Sequence, residues 1–255
     1  MQDKIIQTVG LAKRFGEFEA VRGIDLQVLR GEIFALLGPN GAGKTTTLRM
    51  LMGVLQPTGG TARIDGLDCF REREKVMTRV GYLPEEPIFY DYLRGREIIK
   101  FVGEMHGFSE ADIAATSESL VEKLQLDDAL DEYAVNYSRG MKKKLALVCA
   151  LMHDPALLML DEPTAGMDPH ATRVVHELMR QRIERGHTVL FSTHLLDQAE
   201  KLCDRAGILF KGKLAAVGQL DELRQNLSED SSLEEIYFSL TQDVVEDDIS
   251  ENPSK

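Results

Sequence analysis

The stretch Gly38-Pro39-Asn40-Gly41-Ala42-Gly43-Lys44-Thr45 constrains this chain more than any other part of it. It fits the phosphate-loop pattern G-x-x-x-x-G-K-[ST] at every fixed position. The run Glu32-Ile33-Phe34-Ala35-Leu36-Leu37 before it reads as a buried strand. Thr46 to Met52 after it reads as a helix, with Gly53 as the stop. Between a strand and a helix start, glycines 38, 41 and 43 let the backbone curl and turn successive N–H groups inward toward an anion. The positive end of the helix strengthens that field. Lys44 is placed to reach the outer phosphates of a nucleoside triphosphate, and Thr45 to set its hydroxyl on Mg²⁺.

With 255 residues and 43% hydrophobic content, the chain can form one large domain, or one domain with an appended lobe. No apolar run approaches the roughly 18 residues that cross a bilayer. Met1-Gln2-Asp3-Lys4 leads straight into strand-like Ile5-Ile6, without the pattern of a secretory signal. The expectation is a cytosolic protein that reaches a membrane only through a partner. A net charge of −12 argues against a broad nucleic-acid surface. Cys69, Cys149 and Cys203 lie far apart, and the six histidines show no ligand spacing, so neither a disulfide framework nor a zinc site is expected.

Alternation of Ile24, Leu26 and Val28 predicts a strand over 24–28, after an earlier one over 5–9. Lys13-Arg14-Phe15-Gly16 between them reads as a turn carrying an aromatic. Further strands are expected at 61–64, closed by Asp65-Gly66, and at 80–83, stopped by Pro84. Residues 94–152 change character. Ile98, Ile99, Phe101 and Val102 open one helix, Ser109 with Asp112 caps a second, and Ser138 begins a third. This is a helical lobe, about 88–152, inserted into an α/β core. Strands at 157–160 and 188–191 alternate with a helix from Pro169 capped by Asp168, which implies a mainly parallel sheet. A hairpin around Lys211-Gly212 follows. Leu233, Ile236, Tyr237 and Leu240 then share a helix face, and the acidic end of the chain, 241–255, is expected to be disordered.

Leu157 to Leu160 ends in Asp161-Glu162, two carboxylates where a parallel strand meets a ligand crevice. Asp161 would hold Mg²⁺ through water, and Glu162 would act as general base on an attacking water. Lys142, Lys143 and Lys144 sit in the first turns of the helix begun by Ser138, where the dipole disfavours positive charge. That local violation points to an anion facing this helix start, such as the γ-phosphate of a nucleotide held by another subunit.

Together these pieces resemble the nucleotide-binding subunit of ATP-binding-cassette (ABC) transporters, from about Ile5 to Leu240. The resemblance places ATP on Gly38, Pro39, Asn40, Gly41, Ala42, Gly43, Lys44, Thr45 and Thr46. It sets Ser138-Arg139-Gly140-Met141 at the family's LSGGQ signature. Ser138 and Gly140 match; Tyr137 replaces Leu, Arg139 replaces Gly and Met141 replaces Gln. Ala165 to Asp168 stand at the D-loop, His194 at the histidine that contacts the γ-phosphate, and Phe15 at the aromatic that stacks on adenine. Alone, Phe15 could equally be a core aromatic. Glu85 stands where the family usually has a Gln that touches Mg²⁺ and the attacking water.

The resemblance implies an α/β P-loop NTPase core with an N-terminal antiparallel portion, acting as a Mg²⁺-dependent ATPase at the cytoplasmic face of a membrane. The partners implied are a transmembrane permease subunit, met by residues around 89–96 and the helical lobe, and a second ATPase subunit paired head to tail. The variants around Glu85 and Ser138 look most like the bacterial, export-type branch. An ABC ATPase acting on ribosomes or nucleic acid is the alternative. It is disfavoured by the acidic balance, by the single cassette and by the short span between Lys44 and Ser138, which leaves no room for a long coiled coil. A degenerate regulatory subunit is a third reading, opposed by intact Lys44, Glu162 and His194.

Overall fold

The computed structural model describes residues 3–224 together with Glu235, Tyr237 and Phe238. They form an α/β fold in two compact units, one of the described residues up to 76 together with those from 190 onward, and one of residues 77–189. The expected insertion over 88–152 falls inside the second unit, which also takes in two strands and a further helix.

In the first unit, β1 (Lys4–Phe15) is the hub of an antiparallel sheet. It pairs with β2 (Phe18–Ile24), β3 (Gln27–Leu29) and β5 (Gly59–Ile64), and β6 (Leu67–Asp68) extends the β5 edge. The second sheet of this unit is built on β4 (Ile33–Leu37), every residue of which is buried. Continuous burial explains its unbroken apolar run, as parallel strands are covered on both faces. β4 runs parallel to β10 (Arg205–Phe210), and β11 (Lys213–Gln219) closes a hairpin on β10. The order here is β11-β10-β4-β9, with the division between units falling inside β9 (Thr188–Thr193). Helix α1 (Lys44–Leu51) follows the phosphate loop and stops at Gly53. A Cβ on Gly53 would collide with the Cys69 carbonyl, and its φ of 64° suits glycine. α2 (Arg73–Met77) ends at the division.

The second unit holds β7 (Val80–Leu83) and β8 (Leu157–Asp161), paired parallel in register Val80 to Leu157. Around them are α3 (Gly95–Met105), α4 (Glu110–Lys123), α5 (Arg139–Leu151) and α6 (Pro169–Glu184). The expected caps are in place: Ser109, Ser138 and Asp168 each accept a hydrogen bond from a backbone N–H three residues on. Back in the first unit are α7 (Leu196–Glu200) and α8 (Leu220–Arg224).

The N-terminal strands depart from expectation. Phe15 ends β1 rather than sitting in a turn; the turn is Gly16-Glu17, and β2 follows where no strand was expected. β1 carries register shifts near Leu11, Lys13 and Arg14, so burial along β2 does not alternate and the period-two signal is lost. The single strand expected over 24–28 is broken at Asp25-Leu26. The Asp25 carboxylate accepts from the Gly10 N–H at 2.7 Å, and the Leu26 N–H donates to the Thr8 hydroxyl at 2.8 Å. There side-chain partners stand beside a single backbone bond, from the Thr8 N–H to the Leu26 carbonyl at 2.8 Å, and interrupt the ladder. Short β6 and α2 were not foreseen either. Of the expected C-terminal helix face, Tyr237 meets Phe210 edge-on at 6.5 Å, while Leu233, Ile236, Leu240 and the acidic tail lie outside the described residues.

One feature of the second unit makes the fold sensitive to acid. His153, just past α5, stacks on His106, just past α3, with ring centroids 4.0 Å apart and planes within 10°. Burial pushes His153 from 6.5 down to about 4; His106 and Arg182 act in the same direction, against the Val80 backbone and Asp154. The fold accommodates the neutral ring, so the stability it confers is complete above pH 6.5 and is lost as pH falls toward 4. The thermal midpoint should therefore fall over that window less steeply in His153→Phe than in the parent protein. Equal slopes would contradict the assignment.

Candidate functional site

The phosphate loop lies between β4 and α1, as its sequence requires. Gly41 and Gly43 take φ of 82° and 107°, conformations a side chain strains. The loop is also packed too closely for larger residues. A Cβ on Gly38 would collide with the Leu209 carbonyl, and one on Gly43 would come within 2.6 Å of the Ala20 carbonyl. Backbone hydrogen bonds pin it from several elements. The Gly38 N–H donates to the Thr193 carbonyl of β9 at 3.3 Å, and the Ala42 carbonyl accepts from the Gly212 N–H at 3.0 Å.

Lys44 is 6% exposed, and its Nζ donates to the Gly38 and Pro39 carbonyls at 2.7 and 3.2 Å. The ammonium is thus folded over the loop that its sequence position predicts it to serve. α1 has Gly43 as N-cap with no capping side chain, and no acidic residue in its first turn, which leaves its dipole end suited to an anion. Thr45 and Thr46 are part-exposed in that turn. His194 follows β9 directly and is exposed. Phe15 is 49% exposed with the Lys13 ammonium 5.1 Å from its ring centroid, so it is not a core aromatic.

In the second unit the strand-end carboxylates Asp161 and Glu162 are 0% and 4% exposed. Glu162 has a φ of 46°, a left-handed conformation that for a residue with a side chain costs about 1–3 kcal/mol. Its carbonyl accepts from the Ala165 N–H at 3.2 Å and from the Lys143 Nζ at 2.5 Å. Of the three lysines of α5, Lys143 is 3% exposed and turned inward to this carbonyl rather than toward an outside anion, whereas Lys142 and Lys144 are part-exposed. Burial pushes the Lys143 ammonium below the ordinary value, and the negative charges of Glu162 and Glu85 oppose that. Glu85 itself is exposed.

The signature segment is held from both sides. Ser138 caps α5 by accepting from the Met141 N–H at 3.2 Å. Gly140 lies beside the turn before α6, where a Cβ would meet the Gly166 carbonyl at 3.4 Å. Two of the departures from the family pattern, Tyr137 and Arg139, have local partners. Tyr137 is buried and donates its hydroxyl to the Ala129 carbonyl at 2.6 Å; a Cβ on Gly95 would collide with that hydroxyl, so Gly95 makes the room Tyr137 occupies. Arg139 pairs with Glu86 at 2.9 Å. Sequence reasoning missed the inward role of Lys143 and the Tyr137–Gly95 fit. A lysine triplet at a helix start signals something unusual but not its direction, and Tyr137 and Gly95 are 42 positions apart.

Within the second unit Asp161, fully enclosed at the end of an apolar strand, offers carboxylate oxygens, the donor type that suits a hard cation. Among the described residues no helix is long and apolar enough to cross a membrane.

The sequence profile of the ABC transporter family matches residues 21–165. The chain is 36% identical over 249 residues to the "Probable multidrug ABC transporter ATP-binding protein YbhF" of Escherichia coli strain K12, covering 94% of this chain and 42% of that protein. It thus spans less than half the length of that relative. It is 38% identical over 224 residues to the daunorubicin/doxorubicin resistance ATP-binding protein DrrA of Streptomyces peucetius, covering 88% of this chain and 68% of that one. A solved structure of an ATP-binding subunit of an ABC transporter superposes with a TM-score of 0.88 at 33% identity, over 93% of this chain and 99% of the other. With the family's motifs in order from the phosphate loop to His194, the chain belongs to the ABC transporter family.

Proposed function

We propose that this chain is the ATP-binding and ATP-hydrolysing subunit of an export transporter, acting through a separate transmembrane subunit at the cytoplasmic face of the membrane. The observation that carries this reading is the phosphate loop, a cradle with no room for side chains at Gly38 or Gly43 and with Lys44 lying over it. The drug-resistance and multidrug names of two relatives support the direction of transport.

On this reading Phe15 stacks on adenine, and the backbone of residues 38–46 holds the phosphates. Lys44 exchanges its bonds to the Gly38 and Pro39 carbonyls for phosphate oxygens. Thr45, Asp161 and Glu85 are the oxygen donors for Mg²⁺, which when bound neutralises phosphate charge. Glu162 orients the attacking water and takes its proton, and His194 contacts the γ-phosphate. Ser138 and Gly140, at the start of α5, cap the nucleotide of a second cassette. A lone chain would then hold half of each of two sites, and the working unit is a dimer.

Glu162→Gln should lower ATP turnover by about 100-fold or more while leaving ATP binding intact, the loss typical of a missing general base. Steady-state phosphate release and nucleotide binding measured in parallel check this, and unchanged turnover would remove Glu162 from the role. A mixing experiment tests the shared sites. Lys44→Ala and Ser138→Arg chains should each be inactive alone, and together should regain one working site. No recovery on mixing, or full activity in a monomeric fraction, would contradict the head-to-tail pairing.

A further inference from the structure

Lys143 occupies an unfavourable place for a cation. It is 3% exposed and lies in the second turn of α5, near the positive end of the helix dipole. Something must hold it there. Its Nζ donates to the Glu162 carbonyl at 2.5 Å, joining the helix that begins at the signature to the end of β8. Three carboxylates bear on its charge: Glu162 most, then Glu85, then Asp161. Glu85 and Lys143 line one cavity of about 350 Å³, with Arg139 and Lys142 beside them and Glu86 on the loop. Glu85 is the position where the resembling family usually carries a neutral amide.

We propose that Lys143 is a positioning residue for ATP hydrolysis, resting on the ATPase reading above. Its ammonium holds the Glu162 carbonyl so that the left-handed turn aims the Glu162 side chain, and its charge offsets the carboxylate at position 85. No bond is made or broken at Lys143. The hydrogen bond and the charge are separable, because Lys143→Gln keeps an N–H donor and loses the charge, whereas Lys143→Met loses both.

The test is steady-state ATP hydrolysis by the full chain, with binding of a fluorescent ATP analogue as a second readout. Lys143→Gln, Glu85→Gln, the double variant and Lys143→Met are compared in a double-mutant cycle. Lys143→Gln should lower kcat on the order of tenfold, as small misplacements of a catalytic group do, with KM and nucleotide affinity within about twofold of the parent. Lys143→Met should lower kcat further. Adding Glu85→Gln to Lys143→Gln should raise kcat about fivefold over Lys143→Gln alone, since the carboxylate left without its counter-charge is then gone. Parental kcat in Lys143→Gln would overturn the proposal, as would a double variant no faster than Lys143→Gln. If Lys143→Gln does not bind nucleotide, the double variant decides: restored binding and turnover support the charge pair, and continued failure overturns it. Failure of the ATPase reading is distinguishable, because it shows as full turnover in Glu162→Gln or none in the parent chain.

Discussion

The loop from Gly38 to Gly43 is closed in by backbone, and the first unit is arranged around that close approach. Carbonyls of Leu209 and Ala20 lie where side chains would otherwise project from Gly38 and Gly43. β9 receives a hydrogen bond from the loop through the Thr193 carbonyl, and the β10–β11 turn donates one through Gly212. The Gly212 carbonyl in turn accepts from the Arg22 N–H of β2 at 2.7 Å, so the antiparallel and parallel sheets of this unit both brace the same loop. Each such bond contributes only about 1 kcal/mol of net stability. Their value lies in fixing donors before a phosphate arrives, so that little reorganisation accompanies binding.

The second unit solves a different problem, keeping acidic side chains at the end of an apolar strand. Asp161 and Glu162 terminate β8 in full burial, and Glu162 bends into the left-handed region. Strain at such a position persists only where neighbours over-determine it. Here the Glu162 carbonyl receives both the Ala165 N–H, which closes a turn, and the Lys143 ammonium, which ties the turn to α5. The signature segment at the head of α5 and the carboxylates at the foot of β8 are therefore linked by one side chain.

Much of this was legible in the sequence where chemistry demands a residue type at a fixed spacing. The phosphate loop, the buried run of β4, the Asp161-Glu162 strand end and the caps at Ser109, Ser138 and Asp168 each follow from local rules. What escaped depended on distant partners. β2 was hidden because register shifts in β1 erase the alternation that marks a half-buried strand. The break at Asp25-Leu26 needs Thr8 and Gly10 opposite it. The lysine triplet of α5 points to an outside anion until the Glu162 carbonyl is seen beside Lys143. Tyr137 reads as a departure from pattern until Gly95 explains the space it fills.

On the proposed function, this cassette works on a membrane-embedded partner. The most direct measurement is recovery of bound proteins from detergent-solubilised native membranes, using the Glu162→Gln chain loaded with ATP and Mg²⁺ as bait. A multi-span membrane protein should be recovered, and it should be released when the same experiment is run with Lys44→Ala. Recovery of ribosomes or DNA-bound proteins in its place would contradict the proposed function.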